Sequence, residues 1–146
     1  FSQEAEKRLA AARAVDEIED GMFVGLGTGS TTAYAIKSLS DRIRQGLRIT
    51  AVATSRATEM FARRLAVPLV PFEQFSSVDL TIDGADEIDC HFQAIKGGGG
   101  ALLREKVVAA ASSRMIVIVD ASKVVRRLGE FPLPVEVVPF ASEFVR

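Results

Sequence analysis

The sequence predicts a three-layer α/β fold, a mainly parallel sheet flanked by helices on both sides. Two observations predict it. Short apolar runs alternate along the chain with stretches whose apolar residues recur at helical spacing, the pattern of βαβ units. The run Val78 to Ile82 is also nearly continuous in its apolar character, which suits a strand buried on both faces.

The elements follow in order. Leu9, Ala12, Val15 and Ile18 mark a first helix, and Met22 to Leu26 a short strand that runs into Gly27-Thr28-Gly29-Ser30-Thr31. Ile36, Leu39 and Ile43 carry a second helix, with Gly46 as its stop. Ile49 to Ala53 is the second strand; Met60, Phe61 and Leu65 carry a third helix that Pro68 ends. After the strand Val78 to Ile82 comes a four-glycine run. A helix marked by Leu103, Val107 and Ala110 follows it, and then a strand from Met115 to Val119. Pro132 and Pro134 punctuate a loop before Val135 to Val138, read as an edge or crossing strand. The whole reads as a Rossmann-like domain over residues 1–146, with no internal repeat or linker.

Composition narrows the function classes. Lysine and arginine number 18 against 19 acids, a net charge of −1, so no basic field gathers nucleic acid or an acidic membrane surface. Apolar runs such as Met115 to Val119 are too short to span a bilayer. Cys90 is the only cysteine, which rules out an internal disulfide and a cysteine metal cluster and favours a reducing, cytoplasmic setting. His91 is the only histidine, a polar loop residue by its surroundings; Ser-His, Cys-His and multi-histidine metal chemistry therefore go. Phe1 is not an initiator Met, and Phe144-Val145-Arg146 reads as the opening of a helix, so a fragment is expected.

Three motifs carry chemistry. Gly25-Leu26-Gly27-Thr28-Gly29-Ser30-Thr31 lies at a strand-to-helix turn, where N–H groups and hydroxyls make a phosphate cradle aided by the helix dipole. The dinucleotide fingerprint fails, because Ser30 stands where Gly or Ala is needed and Thr50 where an acid is needed; the P-loop fails for want of a lysine. The competing reading is a tight turn with Ser30 or Thr31 as helix N-cap. Thr54-Ser55-Arg56-Ala57-Thr58-Glu59 repeats the arrangement, and here a helix start capped by Ser55 is the stronger reading over a ligand contact.

Asp83-Gly84-Ala85-Asp86-Glu87 closes the third strand. Its carboxylates suit general acid–base work or sugar hydroxyls, against an Asx-turn with Glu87 and Asp89 merely solvated, or a Mg²⁺ site. Lys96-Gly97-Gly98-Gly99-Gly100 offers an ammonium and backbone N–H groups to an oxyanion, and four glycines are too costly in entropy for a purely structural role. Glu105 opens the next helix, where the dipole favours the charged form a base needs; the alternative is an ordinary exposed helix residue. Lys123, just past a strand end, is either a surface lysine or an anion contact.

These motifs, with Ala101, Arg104-Glu105-Lys106, Asp120-Ala121-Ser122-Lys123 and Pro132-Leu133-Pro134-Val135-Glu136-Val137, occur in an order that strongly resembles ribose-5-phosphate isomerase of the A type, from about Gly21 onward. The resemblance implies interconversion of ribose 5-phosphate and ribulose 5-phosphate through an enediolate, with no metal and no cofactor. It implies Glu105 as the base and Asp83, Asp86 and Lys96 as its assistants. Thr28, Gly29, Ser30 and Thr31 would line the substrate site, the last two near the phosphate. Gly84, Ala85, Gly97, Gly98, Gly99 and Lys123 would complete it, with Lys7 a secondary phosphate candidate. A homodimer or homotetramer is implied, with a sugar phosphate as the only other partner. The family adds a small C-terminal α+β domain, expected to be absent here. The alternatives are a non-catalytic sugar-phosphate-sensing domain of a transcriptional regulator, and a related sugar-phosphate deaminase or CoA-transferase-like enzyme.

Overall fold

The computed structural model describes residues 1–146. Helix α1 (Gln3–Val15) opens where the Ser2 hydroxyl accepts the Ala5 N–H at 3.2 Å, and Glu4 and Glu6 sit in its first turn. Strand β1 (Phe23–Leu26) leads to helix α2 (Ser30–Arg44), strand β2 (Thr50–Ala53) to helix α3 (Arg56–Arg64), and strand β3 (Val78–Asp83) to a small hairpin, β4 (Glu87–Ile88) with β5 (Ala94–Ile95). Helix α4 (Leu102–Ala110), strand β6 (Ser112–Val117) and a short helix α5 (Ser142–Val145) complete the chain. No helix is long and apolar enough to cross a membrane.

The main sheet is fully parallel in the order β2-β1-β3-β6. From β1 the chain steps outward to β2, and from β3 it steps the other way to β6. The direction reverses between β1 and β3, and the carboxyl ends of those two strands, Leu26 beside Ile82, bound the crevice where open α/β sheets bind ligands.

Side chains alternate between the two faces of the sheet. Val24, Leu26, Leu80 and Ile82 point to one face and pack under α1 and α2 with Val15, Ile18, Ile36 and Leu39. Each fully buried Leu or Ile there contributes about 1.5–3 kcal/mol. Arg42 of α2 donates to the carbonyls of Val15 and Ile18 at 2.6 and 2.9 Å, satisfying the open end of α1. Val52, Val78 and Val108 form a second, smaller cluster with Phe72 and Phe75, under α4. The expected three layers are present.

Several details depart from the sequence pattern. The buried face of α1 is Ala11, Ala14 and Val15, while Leu9 is 56% exposed and Ile18 lies beyond the helix. In α3 the buried residues are Thr58 and Ala62, and Met60 faces out; in α4 they are Glu105 and Val108, with Leu103, Val107 and Ala110 outward. Helix phase follows close contact with the sheet, which small side chains permit, more than it follows side-chain size. Strand β6 starts three residues before the expected Met115, because β3 pairs its full length with Ser112 to Val117 through backbone groups indifferent to side-chain polarity. Val135 to Val138 is no strand: Pro132, Pro134 and Pro139 remove donors, and the segment stands exposed. The hairpin β4–β5 was not anticipated, since two-residue strands carry no periodicity.

Packing between the sheet and α4 is close at Gly25, where a Cβ would come within 2.1 Å of Thr81 Oγ1 and 2.7 Å of Val108 Cγ1. Gly25→Ala is therefore expected to destabilise the fold by about 1–3 kcal/mol through overpacking, read as a lower urea midpoint with an unchanged slope.

Candidate active site

The crevice is built inward from β1. Gly27 follows that strand, and a Cβ on it would lie 2.0 Å from the Asp83 carboxylate, so only glycine lets β1 and Asp83 approach this closely. Asp83 ends β3 and is 1% exposed; its Oδ1 accepts the N–H groups of Gly84 at 2.7 Å and Thr28 at 3.2 Å. An Asx-turn would accept the N–H two residues on, at Ala85; Asp83 instead takes the adjacent Gly84 N–H and the Thr28 N–H of the neighbouring strand's turn, and so ties the two strand ends together.

At Gly29, with φ +116°, the chain turns into α2. Neither Ser30 nor Thr31 caps this helix, contrary to the structural alternative: both lie inside it, and no side chain accepts its first N–H groups. The first turn therefore presents free donors and a dipole to the cleft. Ser55 does cap α3, accepting the Thr58 N–H at 3.1 Å. Thr54, Ser55 and Thr58 are absent from the cleft lining and hydrogen-bond to the Gly27–Thr28 turn instead.

The hairpin delivers Lys96. Its ammonium donates to the Gly84 carbonyl and lies 3.2 Å from Asp83 Oδ2 and 3.8 Å from Glu105 Oε1. The glycine run folds back over Asp86, whose Oδ2 accepts the Gly98 N–H at 2.8 Å. A Cβ on Gly98 would touch the Asp86 carboxylate at 3.0 Å, and Gly97, at φ +89°, packs on Leu102 where a Cβ would come within 2.5 Å. That packing starts α4, and Glu105 occupies its first turn at 6% exposure, facing the cleft rather than solvent. Glu105 Oε2 is buried without a hydrogen-bond partner.

Burial pushes the Glu105 carboxyl above its ordinary value; the negative charges of Asp83 and Asp86 add to the rise, and Lys96 offsets part of it. Burial also raises Asp83, opposed by Lys96 and by the Gly84 and Thr28 N–H groups. The pair is thus two carboxylates bridged by one ammonium, each nearer to neutral pH than a surface acid.

At the far side, Lys123 ends a 3-10 turn (Ala121–Lys123) capped by Asp120, which accepts the Ser122 N–H at 3.0 Å; Glu6 of α1 accepts the Ala121 N–H at 2.8 Å. Thr28, Gly29, Ser30, Thr31, Gly84, Ala85, Asp86, Lys96, Gly97, Gly98, Gly99, Glu105 and Lys123 all line one cleft of about 260 Å³, with Asp83 directly behind it. Ala101, the residue that closes the glycine-run motif, lines it as well, and so do Thr32, Ile118 and Val119, for which the sequence reading gave no role. The position of Thr32 one residue beyond the phosphate-loop motif was the available signal.

Lys7 is not in the lining and pairs with Glu4 at 3.2 Å. Glu87, solvated in the Asx-turn alternative, is instead 3% exposed and accepts the N–H groups of Gly129 and Glu130 at 2.7 and 3.1 Å, anchoring the loop after Lys123. Cys90 and His91 are exposed at the hairpin tip. No three carboxylate, histidine or cysteine groups stand together to share a metal ion, and Asp83 and Asp86 are each engaged by backbone N–H donors.

A parallel α/β sheet thus sets an uncapped helix start, with free N–H donors, across one cleft from a buried carboxylate–ammonium–carboxylate cluster. The model of the family "Ribose 5-phosphate isomerase A (phosphoriboisomerase A)" matches residues 50–146. The ribose-5-phosphate isomerase A of Sphingopyxis alaskensis is 76% identical over 142 residues, covering 97% of this chain and 62% of the relative. Among solved structures, a D-ribose-5-phosphate isomerase in complex with phospho-erythronic acid superposes with a TM-score of 0.94 at 39% identity, covering 99% of this chain and 65% of that one. The ribose 5-phosphate isomerase A of Methanocaldococcus jannaschii gives 0.92 at 44% identity, with the same coverage of each chain. The chain belongs to the ribose 5-phosphate isomerase A family. It spans about 60% of the length of the curated relatives it matches.

Because the fold raises the Glu105 proton affinity, the ionised side chain opposes folding. That penalty is absent below the ordinary value of 4.5 and grows as pH rises through the raised value. Glu105→Gln is therefore expected to melt higher than the parent at neutral pH, with the difference closing below pH 4.5 in a pH series of thermal melts.

Proposed function

We propose that residues 1–146 form the catalytic α/β unit of an aldose–ketose isomerase that interconverts D-ribose 5-phosphate and D-ribulose 5-phosphate. The observation that carries this reading is Glu105: a buried, partly unpartnered carboxylate with a raised proton affinity, 3.8 Å from the Lys96 ammonium, in a cleft whose other end is the open start of α2.

In this reading the phosphate sits on the first turn of α2 at Ser30 and Thr31, with Lys123 opposite. The sugar carbons then extend toward Glu105. Asp83, Asp86 and Lys96 exchange protons with the ring oxygen and the anomeric hydroxyl as the furanose opens. Glu105 removes the proton from C2, the C1–C2 double bond forms, and the carbonyl electrons move onto O1. In this reading the Lys96 ammonium, 3.8 Å from Glu105, stabilises that enediolate charge as it develops. Glu105 then returns the proton to C1, while the O2 proton is lost and O1 gains one, so the step is redox-neutral overall. The positive charge comes from Lys96, and no metal or cofactor is required.

Support comes from the relative solved with phospho-erythronic acid, a phosphorylated sugar acid whose delocalised carboxylate resembles an enediolate. The sensor and deaminase readings find no such support, and a sensor has no use for a buried base. A cytoplasmic setting and a homodimer or homotetramer belong to the same reading; light scattering on the full-length gene product tests the latter.

Ribose 5-phosphate conversion by the full-length gene product tests the function. Glu105→Gln is expected to lose about 10²-fold or more in kcat, and unchanged turnover would sink the assignment. The acid limb of kcat/KM should lie above 4.5, since Glu105 must be ionised to act. Activity should survive a chelator. Lys123→Ala should raise KM by about tenfold or more while kcat changes little, as befits a charge-assisted phosphate contact.

A further inference from the structure

Four hydroxyls connect the two strand-to-helix turns, and their protons can be accounted for one by one. Thr54 Oγ1 lies 2.9 Å from the Leu26 carbonyl and Thr58 Oγ1 lies 2.9 Å from the Gly27 carbonyl. Carbonyl oxygens only accept, so both threonines must donate there, and each has a single proton. Ser55 Oγ lies 3.0 Å from Thr58 Oγ1, whose proton is already committed, so Ser55 donates to it. Thr28 Oγ1 lies 2.9 Å from both Ser55 Oγ and Thr54 Oγ1 and 3.4 Å from Thr58 Oγ1, whose single proton goes to the nearer Gly27 carbonyl. None of the three has a proton left, so Thr28 donates inward. Its N–H is also spent, on Asp83 at 3.2 Å.

We infer that Thr54, Ser55 and Thr58 are positioning residues that lock Thr28 as a hydrogen-bond acceptor toward the cleft, so that Thr28 reads a sugar hydroxyl and not the phosphate. Thr28 lines the cleft, and lone pairs are all its hydroxyl has left to offer there. A phosphate oxygen, itself an acceptor, gains nothing from it. A substrate hydroxyl does. The relay thereby orients the ligand: phosphate toward the free N–H groups of α2 beyond Gly29, hydroxyls toward Thr28 and Asp83. It also explains why a second Ser/Thr-rich turn follows β2 although none of its hydroxyl residues at 54, 55 and 58 lines the cleft.

This inference rests on the proposed isomerase reading, and the test separates the two. Turnover of ribose 5-phosphate by the unaltered full-length protein decides the reading. Thr28→Val, Thr58→Val and the double variant decide the relay, through kcat/KM for ribose 5-phosphate and the inhibition constant of inorganic phosphate. Thr28→Val should lower kcat/KM about tenfold and leave phosphate inhibition within about twofold. Thr58→Val frees the Ser55 proton and lets Thr28 turn its own toward the cleft, so it should also lower kcat/KM. Thr58→Ser should restore it. The double variant should be no worse than Thr28→Val alone, because the relay acts only through Thr28. Two outcomes would overturn the inference: phosphate inhibition weakening in step with kcat/KM in Thr28→Val, or additive losses in the double variant.

Discussion

The structure turns on the contact between Gly27 and the Asp83 carboxylate. Two neighbouring parallel strands end side by side, and the absence of a side chain at Gly27 lets Asp83 sit against the backbone of the next turn. From there Asp83 holds the Thr28 and Gly84 N–H groups with one oxygen and faces Lys96 with the other. Lys96 in turn faces Glu105. The open helix start, the ammonium and the buried glutamate are therefore all placed with reference to one carboxylate at the sheet's switch point.

That arrangement works against stability. Two carboxylates are withdrawn from water with a single ammonium between them, and both respond with raised proton affinity. Such a cluster persists because the sheet and the helices around it are well packed. The apolar cluster under α1 and α2 lies on the strand face that carries Leu26 and Ile82, while α4 approaches from the other side over Gly25 and Thr81. Rigid elements on both faces hold the charges at distances they would otherwise avoid.

Much of the site was legible as residue types in order. The Gly27–Thr31 loop, Asp83 with Asp86, the Lys96 glycine run and Glu105 stand in the sequence as separate motifs, and each falls on the same cleft. Helix faces were less legible: Leu103 and Val107 suggested the buried side of α4, yet Glu105 and Val108 lie inward. A buried glutamate on a helix flanked by Arg104 and Lys106 gives no periodic signal. Glu87 was missed for the same reason, since its partners, Gly129 and Glu130, are more than forty residues away. The two-residue strands β4 and β5 carry too few residues for any alternation to show.

By itself the sequence determined the α/β class, the order of the four main-sheet strands and the helices between them, and the chemical kinds of residue available for reaction. These depend on local periodicity, turn residues and composition, which are properties of neighbours along the chain. Tertiary structure alone decided which face of each helix is buried, where β6 begins, and that the Thr54–Thr58 turn supports Thr28. It also decided that Lys96 comes to lie between Asp83 and Glu105. Those outcomes depend on distances between residues far apart in sequence, and on desolvation that no single residue carries until the chain closes around it.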